Sequence, residues 1–135
     1  MQYMFVVPGE PRGKGRPRFS KKKTYTDHET AAYERKVVEC FVSTAGSHRA
    51  PDTAFLTVDI IAYLEIPKSA TKKRASAMER KEIIPSRKPD VDNVIKIVLD
   101  ALNGVAYKDD SRVHSASCVK YYSFEPRIEV YIKEI

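Results

Sequence analysis

Between Phe55 and Ile66 the apolar residues Leu56, Val58, Ile60, Ala62 and Leu64 fall on every second position. Side chains on a strand alternate between faces, so this stretch can bury one face of a sheet and cannot present one face of a helix. Residues 127–134 repeat the pattern, with Ile128, Val130 and Ile132 alternating with Glu129, Tyr131 and Lys133. Pro126 marks a turn between that segment and another expected strand near 113–123. A short strand is also expected over Tyr3–Val7, ended by Pro8-Gly9. The chain must therefore build a sheet with one covered face, and the segments between its strands must supply the cover.

Two segments read as those covers. Thr26 with Glu29 three residues later fits a capping box, and Gly46 is a C-terminal stop. Between them Ala32, Val37, Val38, Phe41 and Val42 form an apolar side. A second helix is expected from about Asn93 to Asn103, with Gly104 as its C-cap and Val105–Lys108 extended beyond it. Ser69–Lys81 has good helix formers but a thin apolar face, so a marginal exposed helix is expected there. The order β-α-β-(α)-α-β-β implies an α/β (α+β-like) architecture, a mixed and mostly antiparallel sheet covered by helices. At 135 residues one domain, 1–135, is expected.

Charge is distributed unevenly. Segment 12–23 contributes +7 and segment 68–88 contributes +6, so a chain of net charge +6 carries −7 on its remainder. Two cationic patches on an acidic body suit a polyanion, because localised Lys and Arg release counterions condensed on phosphates. Segment 9–26 reads as a mobile loop or loose hairpin ending near Thr24-Tyr25. No apolar run approaches the ~18 residues of a membrane helix, and the N-terminus lacks a signal-peptide pattern. An intracellular protein is expected. Cys40 and Cys118 stand outside any metal-binding spacing and read as free thiols packed in the core. His28, His48 and His114 are scattered and read as surface residues.

The acidic residues carry the chemistry. Asp90 and Asp92 lie two apart just before a helix, where an extended lead-in projects both to one side. Pro89 favours that extension by disfavouring helical geometry at Lys88. Asp92 can serve as the N-cap, but capping does not call for Asp90, nor for the later pair Asp109-Asp110. A helix over 93–103 is about 16 Å long, and seven extended residues reach roughly 23 Å, so the chain is long enough to return Asp109 or Asp110 beside Asp90 and Asp92. Clustered oxygen ligands of this kind suit Mg²⁺ or Mn²⁺. Lys96 follows Asp92 by one turn, either facing the same site or pairing with Asp92. Asp100, a further turn on, can hold Lys96, and Asn93 can orient a carboxylate or cap the first turn.

The run Lys88-Pro89-Asp90-x-Asp92-Asn93-x-x-Lys96, followed by Asp100-Ala101-Leu102-Asn103-Gly104 and Tyr107-Lys108-Asp109-Asp110-Ser111, resembles the RusA family of Holliday junction resolvases. Lys14-Gly15-Arg16-Pro17-Arg18 and Ile66-Pro67-Lys68-Ser69 with Lys72-Lys73-Arg74 resemble its basic segments. The likeness is nearest to versions carried by phages and prophages. It implies a Mg²⁺-dependent endodeoxyribonuclease, a homodimer that resolves four-way DNA junctions by paired nicks in recombination and repair. By the same resemblance Asp90, Asp92 and Asp110 hold the metal, with Asp109 the ambiguous neighbour, and Lys96 is the essential lysine. Lys14, Arg16, Arg18, Lys72, Lys73 and Arg74 are the expected DNA contacts. Other classes fit less well. A PD-(D/E)xK site needs an acidic-x-Lys tripeptide after Asp90, and none follows; a histidine-based nuclease site has no cluster to use. A non-catalytic basic DNA-binding protein explains the charge but not the aspartates, and a metallonuclease acting on flaps or forks stays open.

Overall fold

The computed structural model describes residues 1–15 and 28–135, and within 16–27 only the backbone of two short strands. The elements are β1 (Gln2–Pro8), β2 (Arg18–Ser20), β3 (Lys23–Tyr25), α1 (His28–Ala45), β4 (Leu56–Glu65), α2 (Lys72–Glu79), α3 (Val91–Leu102), a 3₁₀ turn (Asp110–Arg112), β5 (Val113–Ser123) and β6 (Arg127–Glu134). A four-stranded sheet has the order β1-β6-β4-β5, and β2 pairs with β3 in a separate hairpin. β6 is antiparallel to both β1 and β4, whereas β4 and β5 run parallel. Parallel neighbours cannot be joined by a tight turn. The crossover between them is the stretch that carries α2, α3 and every candidate aspartate.

The alternation in the sequence is realised as burial. Leu56, Val58, Ile60, Ala62 and Leu64 of β4 are all buried, as are Ile128, Val130 and Ile132 of β6 and Phe5 and Val7 of β1. Tyr33, Val37 and Phe41 of α1 and Val94, Ile97, Val98, Ala101 and Leu102 of α3 complete the same core. The α3 positions recur at three- and four-residue steps, which makes one continuous apolar stripe. Its polar side is left to carry Asp92, Lys96 and Asp100. Replacing Ile97 by Ala should cost about 2–5 kcal/mol, since the side chain is fully enclosed and the cavity cannot collapse between sheet and helix. Urea denaturation of the two proteins measures this directly.

Several local expectations shift. α3 begins at Val91, two residues earlier than expected, so Asp90 occupies the N-cap position and Asp92 lies in the first turn. The N-cap role considered for Asp92 therefore does not hold. Gly104 does follow the helix, with φ near +79°, a conformation glycine adopts without a Cβ penalty. Beyond it Val105 and Ala106 are not extended: their amides both return to the carbonyl of Leu102, and the Gly104 amide donates to Tyr107. The marginal helix is shorter than Ser69–Lys81; Thr71 caps it by accepting from the Arg74 amide at 3.2 Å. Gly46, at φ near +63°, ends α1 as expected, while the proposed cap Thr26 lies outside the described residues. Cys40 and Cys118 are free and partly buried at the margin of the core, and burial pushes the Cys118 thiol up to about 11. No described helix is long and apolar enough to cross a membrane.

Candidate active-site cleft

A cleft of about 670 Å³ opens between residues 11–15 and residues 88–93, with Asp90 and Asp92 on one wall and Arg12 and Lys14 on the other. Asp90 accepts the first amides of α3, from Asn93 and Val94, through its backbone carbonyl. Its carboxylate makes no capping bond and is exposed, as is that of Asp92. A helix N-terminus carries partial positive charge, so both carboxylates are tolerated there without a partner among the described residues. They remain available to a ligand.

The opposite wall is not a loose loop. The Lys14 amide donates to the Asn93 carbonyl at 2.9 Å, and the Gly15 amide to the buried Thr30 hydroxyl at 3.4 Å. Gly13 lies so close to α3 that a Cβ there would stand 2.8 Å from the Cβ of Asn93. The Lys14 ammonium reaches Glu34 of α1 at 2.8 Å and Asp100 of α3 at 3.2 Å. Burial pulls the Lys14 pKa down, but these two carboxylates outweigh it and hold the ammonium above the ordinary lysine value. Lys14 is thus turned inward onto two helices, away from the solvent where a DNA contact was expected.

Asp100 does hold Lys96: its Oδ2 lies 3.7 Å from the Lys96 ammonium, which is otherwise exposed. The alternative pairing of Lys96 with Asp92 is not formed. Asn93 serves the cleft through its main chain and its packing on Gly13. The expected contacts Lys72, Lys73 and Arg74 are exposed on α2 and make no ion pair among the described residues, while Arg16 and Arg18 lie outside the described side chains.

Asp109 and Asp110 have different surroundings. The Asp109 carboxylate accepts from the Ser111 amide at 3.1 Å, and the Ser111 hydroxyl, together with that amide, holds its pKa below the usual aspartate range. The Asp110 carboxylate is exposed and makes no hydrogen bond or ion pair among the described residues, while its backbone carbonyl accepts from the Val113 amide. Both follow Tyr107, whose buried phenol donates to the Leu99 carbonyl at 2.7 Å. Burial, with Asp110, Asp100 and Asp109 nearby, raises the Tyr107 pKa. This turn lies alongside the second half of α3, not its first turn. Among the described residues no three carboxylate, histidine or cysteine side chains converge on one point. The pair Asp90 and Asp92 offers the oxygen donors that a hard divalent ion takes while keeping most of its waters.

Lys120 escaped the sequence reading. On β5 it shares the inward side of Cys118 and Tyr122, and its ammonium donates to the carbonyls of Arg87 at 2.8 Å and Pro89 at 3.1 Å. It fixes the backbone that leads into Asp90, helped by Arg87, which pairs with Glu10 at 2.9 Å and donates to the Glu65 carbonyl. The available signal was a lysine at an inward position of a strand, which must satisfy its charge on a nearby acceptor.

Residues 8–133 match the family model described as Endodeoxyribonuclease RusA. The chain is also 39% identical over 136 residues to an uncharacterized protein, YqaN, of Bacillus subtilis, covering 97% of this chain and 95% of that one. The family match spans the cleft, both basic segments and the sheet beyond β1, and the chain belongs to the RusA family of endodeoxyribonucleases, hydrolases that cut DNA.

Proposed function

We infer that the chain resolves four-way DNA junctions by paired nicks, acting as a Mg²⁺-dependent homodimer in recombination and repair inside the cell. The observation that carries this reading is the cleft itself: two uncapped, exposed aspartates of the family motif face the docked segment 11–15, with Lys96 one turn along the same helix. Asp90 and Asp92 hold the ion in this reading, with Mn²⁺ an alternative, and Asp110 is the third carboxylate. A bound divalent ion offsets the charge of the phosphate under attack. Lys96 adds a second positive charge, kept in place by Asp100, and Lys14 keeps the cleft wall against α3. The exposed cations of α2 grip the DNA backbone, which positions the duplex without reading its sequence.

Incubation with junction, flap, fork and linear duplex DNA, in Mg²⁺ and in EDTA, tests the reading. Symmetric nicks in the junction that vanish in EDTA are the expected result. Equal cutting of flaps or forks would move the substrate class, and binding without cutting in Mg²⁺ would leave a non-catalytic binder.

The basic segment 12–23 supplies a separate expectation. Arg16→Ala should weaken junction binding and lower the slope of log K against log salt by roughly 0.9, the value for one lost phosphate contact. An unchanged slope would remove Arg16 from the interface.

A further inference from the structure

Phe124 stands at the turn between β5 and β6 with 60% of its surface exposed, although the turn itself is firmly held. The Glu125 amide donates to the Ser123 hydroxyl at 3.0 Å. Arg127 donates through Nη1 to the Glu125 carbonyl at 2.8 Å and to that same hydroxyl at 3.3 Å. Its guanidinium lies 4.0 Å above the Tyr63 ring, and the Pro126 carbonyl accepts from the Gly9 amide at 2.9 Å. Phe124 is thus presented to solvent from a fixed place.

A single exposed aromatic is ordinary on a protein surface. This one lines a groove. The Ile66 amide donates to the Ser123 carbonyl at 3.2 Å, which lays Ile66-Pro67 beside the turn. α2 docks nearby through its buried Met78, and just beyond it the Lys81 ammonium sits 4.4 Å from the centre of the Tyr121 ring. The groove these segments enclose has about 520 Å³, and its apolar lining is Ile66, Pro67, Ala70, Ala75 and Phe124. Its charged lining balances, Lys68 and Lys72 against Glu65 and Glu79. Lys73 and Arg74, exposed on the same helix, add positive charge outside it. Cations beside a neutral, apolar slot match a nucleotide, with phosphate on the first and the flat face of a base in the second.

The groove also shares an end of the sheet with the aspartates. Ser123 pairs with Glu65 where β4 and β5 finish, and Arg87, three residues before Asp90, donates to the Glu65 carbonyl at 3.1 Å.

We propose that this groove receives an unpaired base of the DNA substrate, stacked on Phe124, and that the contact separates branched DNA from linear duplex. It rests on the reading above that the substrate is branched. In a continuous duplex each base is covered on both faces by its neighbours. A branch point or a bulge leaves a base already unstacked, so little further energy is needed to draw it out. Stacking on an aromatic ring accepts any base, so the contact reads structure and not sequence.

The chain contains no tryptophan, so Phe124→Trp places a single fluorophore in the groove. In EDTA, where no strand is cut, its emission should be quenched by a duplex with one unpaired base and by a four-way junction. A fully paired duplex of the same length should leave it unchanged. Phe124→Ala should bind the bulged duplex and the junction roughly tenfold more weakly, the loss of one base–aromatic stack, with unchanged affinity for linear duplex. The position is exposed, so neither variant threatens the fold. Emission that no DNA quenches, or that linear duplex quenches equally, overturns the proposal. So does a Phe124→Ala protein with wild-type affinity for the bulged duplex. Wild-type protein that binds a junction no more tightly than linear duplex, while the bulge still quenches the Phe124→Trp emission, would instead bring down the four-way-junction reading.

Discussion

Asp90→Asn should reduce Mg²⁺-dependent nicking by more than about a hundredfold while leaving the fold and junction binding in place. The reason for expecting such a clean separation lies in the local geometry. Asp90 occupies the N-cap position of α3, but only its backbone carbonyl serves the helix, and its carboxylate accepts no amide. Asn and Asp cap helices about equally well in any case, so the substitution does not weaken α3. What it removes is the charge of one of the two carboxylates lining the cleft. Thermal melts should stay within roughly 2 °C of wild type, because no contact worth a kcal/mol is lost. Binding to a junction in EDTA should be retained or slightly tightened, since a negative charge facing the phosphates has gone. Wild-type cleavage by the variant would show that Asp90 is not part of the reacting site.

Gly13→Val should have the other large effect, by a different route. A Cβ at Gly13 would lie 2.8 Å from the Cβ of Asn93 and 3.1 Å from that of Pro89. Neither atom is the free end of a flexible chain: one belongs to the first turn of α3 and the other to a ring. Residues 11–15 must therefore lift away, and the amide bond from Lys14 to the Asn93 carbonyl breaks with them. The cost in stability is about 1–3 kcal/mol, as for overpacking elsewhere. Cleavage should fall by roughly 10²-fold, as for small misplacements near other active sites, because the wall that faces the aspartates has moved. Gly13→Ala should show the same loss in milder form. Faster hydrogen exchange at the Lys14 amide would report the lifted strap. A Gly13→Val protein that cuts normally, with that amide still protected, would mean the strap is not a wall of the site.

Much of the fold was legible in short-range pattern. The two-residue period of β4 and β6 and the three-to-four-residue period of α3 each describe one face, and each face is buried as its period requires. The pairing of β4 with β5 in parallel, and the hydrogen bonds that turn the chain at 103–107, depend on residues far apart or on backbone conformations that the composition of that segment does not announce. The site divides along the same line. Asp90 and Asp92 are neighbours in sequence and their shared cleft followed from local geometry. The ion pair of Lys96 with Asp100 followed from helical spacing, and the structure forms it.

Lys14 and Asp110 show where such reasoning stops. A lysine in a basic run reads as solvent-facing, yet Glu34 and Asp100 from two different helices enclose this one. The chain length between α3 and Asp110 permits a return to Asp90, and length was all the sequence could test. The structure spends those residues on a tight turn held by Leu102, Leu99 and Arg112, then leads directly into β5.

By itself the sequence determined the chemistry on offer: which acids stand next to a helix N-terminus, which lysine follows them by a turn, and where the positive charge is concentrated. Residue type and local periodicity carry that information. Only the tertiary structure decided which of these groups share a space. It set Asp90 and Asp92 in one cleft against residues 11–15 and put Asp110 on the turn that opens β5. That outcome depends on strand pairing and helix docking between residues dozens of positions apart, where no short-range pattern reaches.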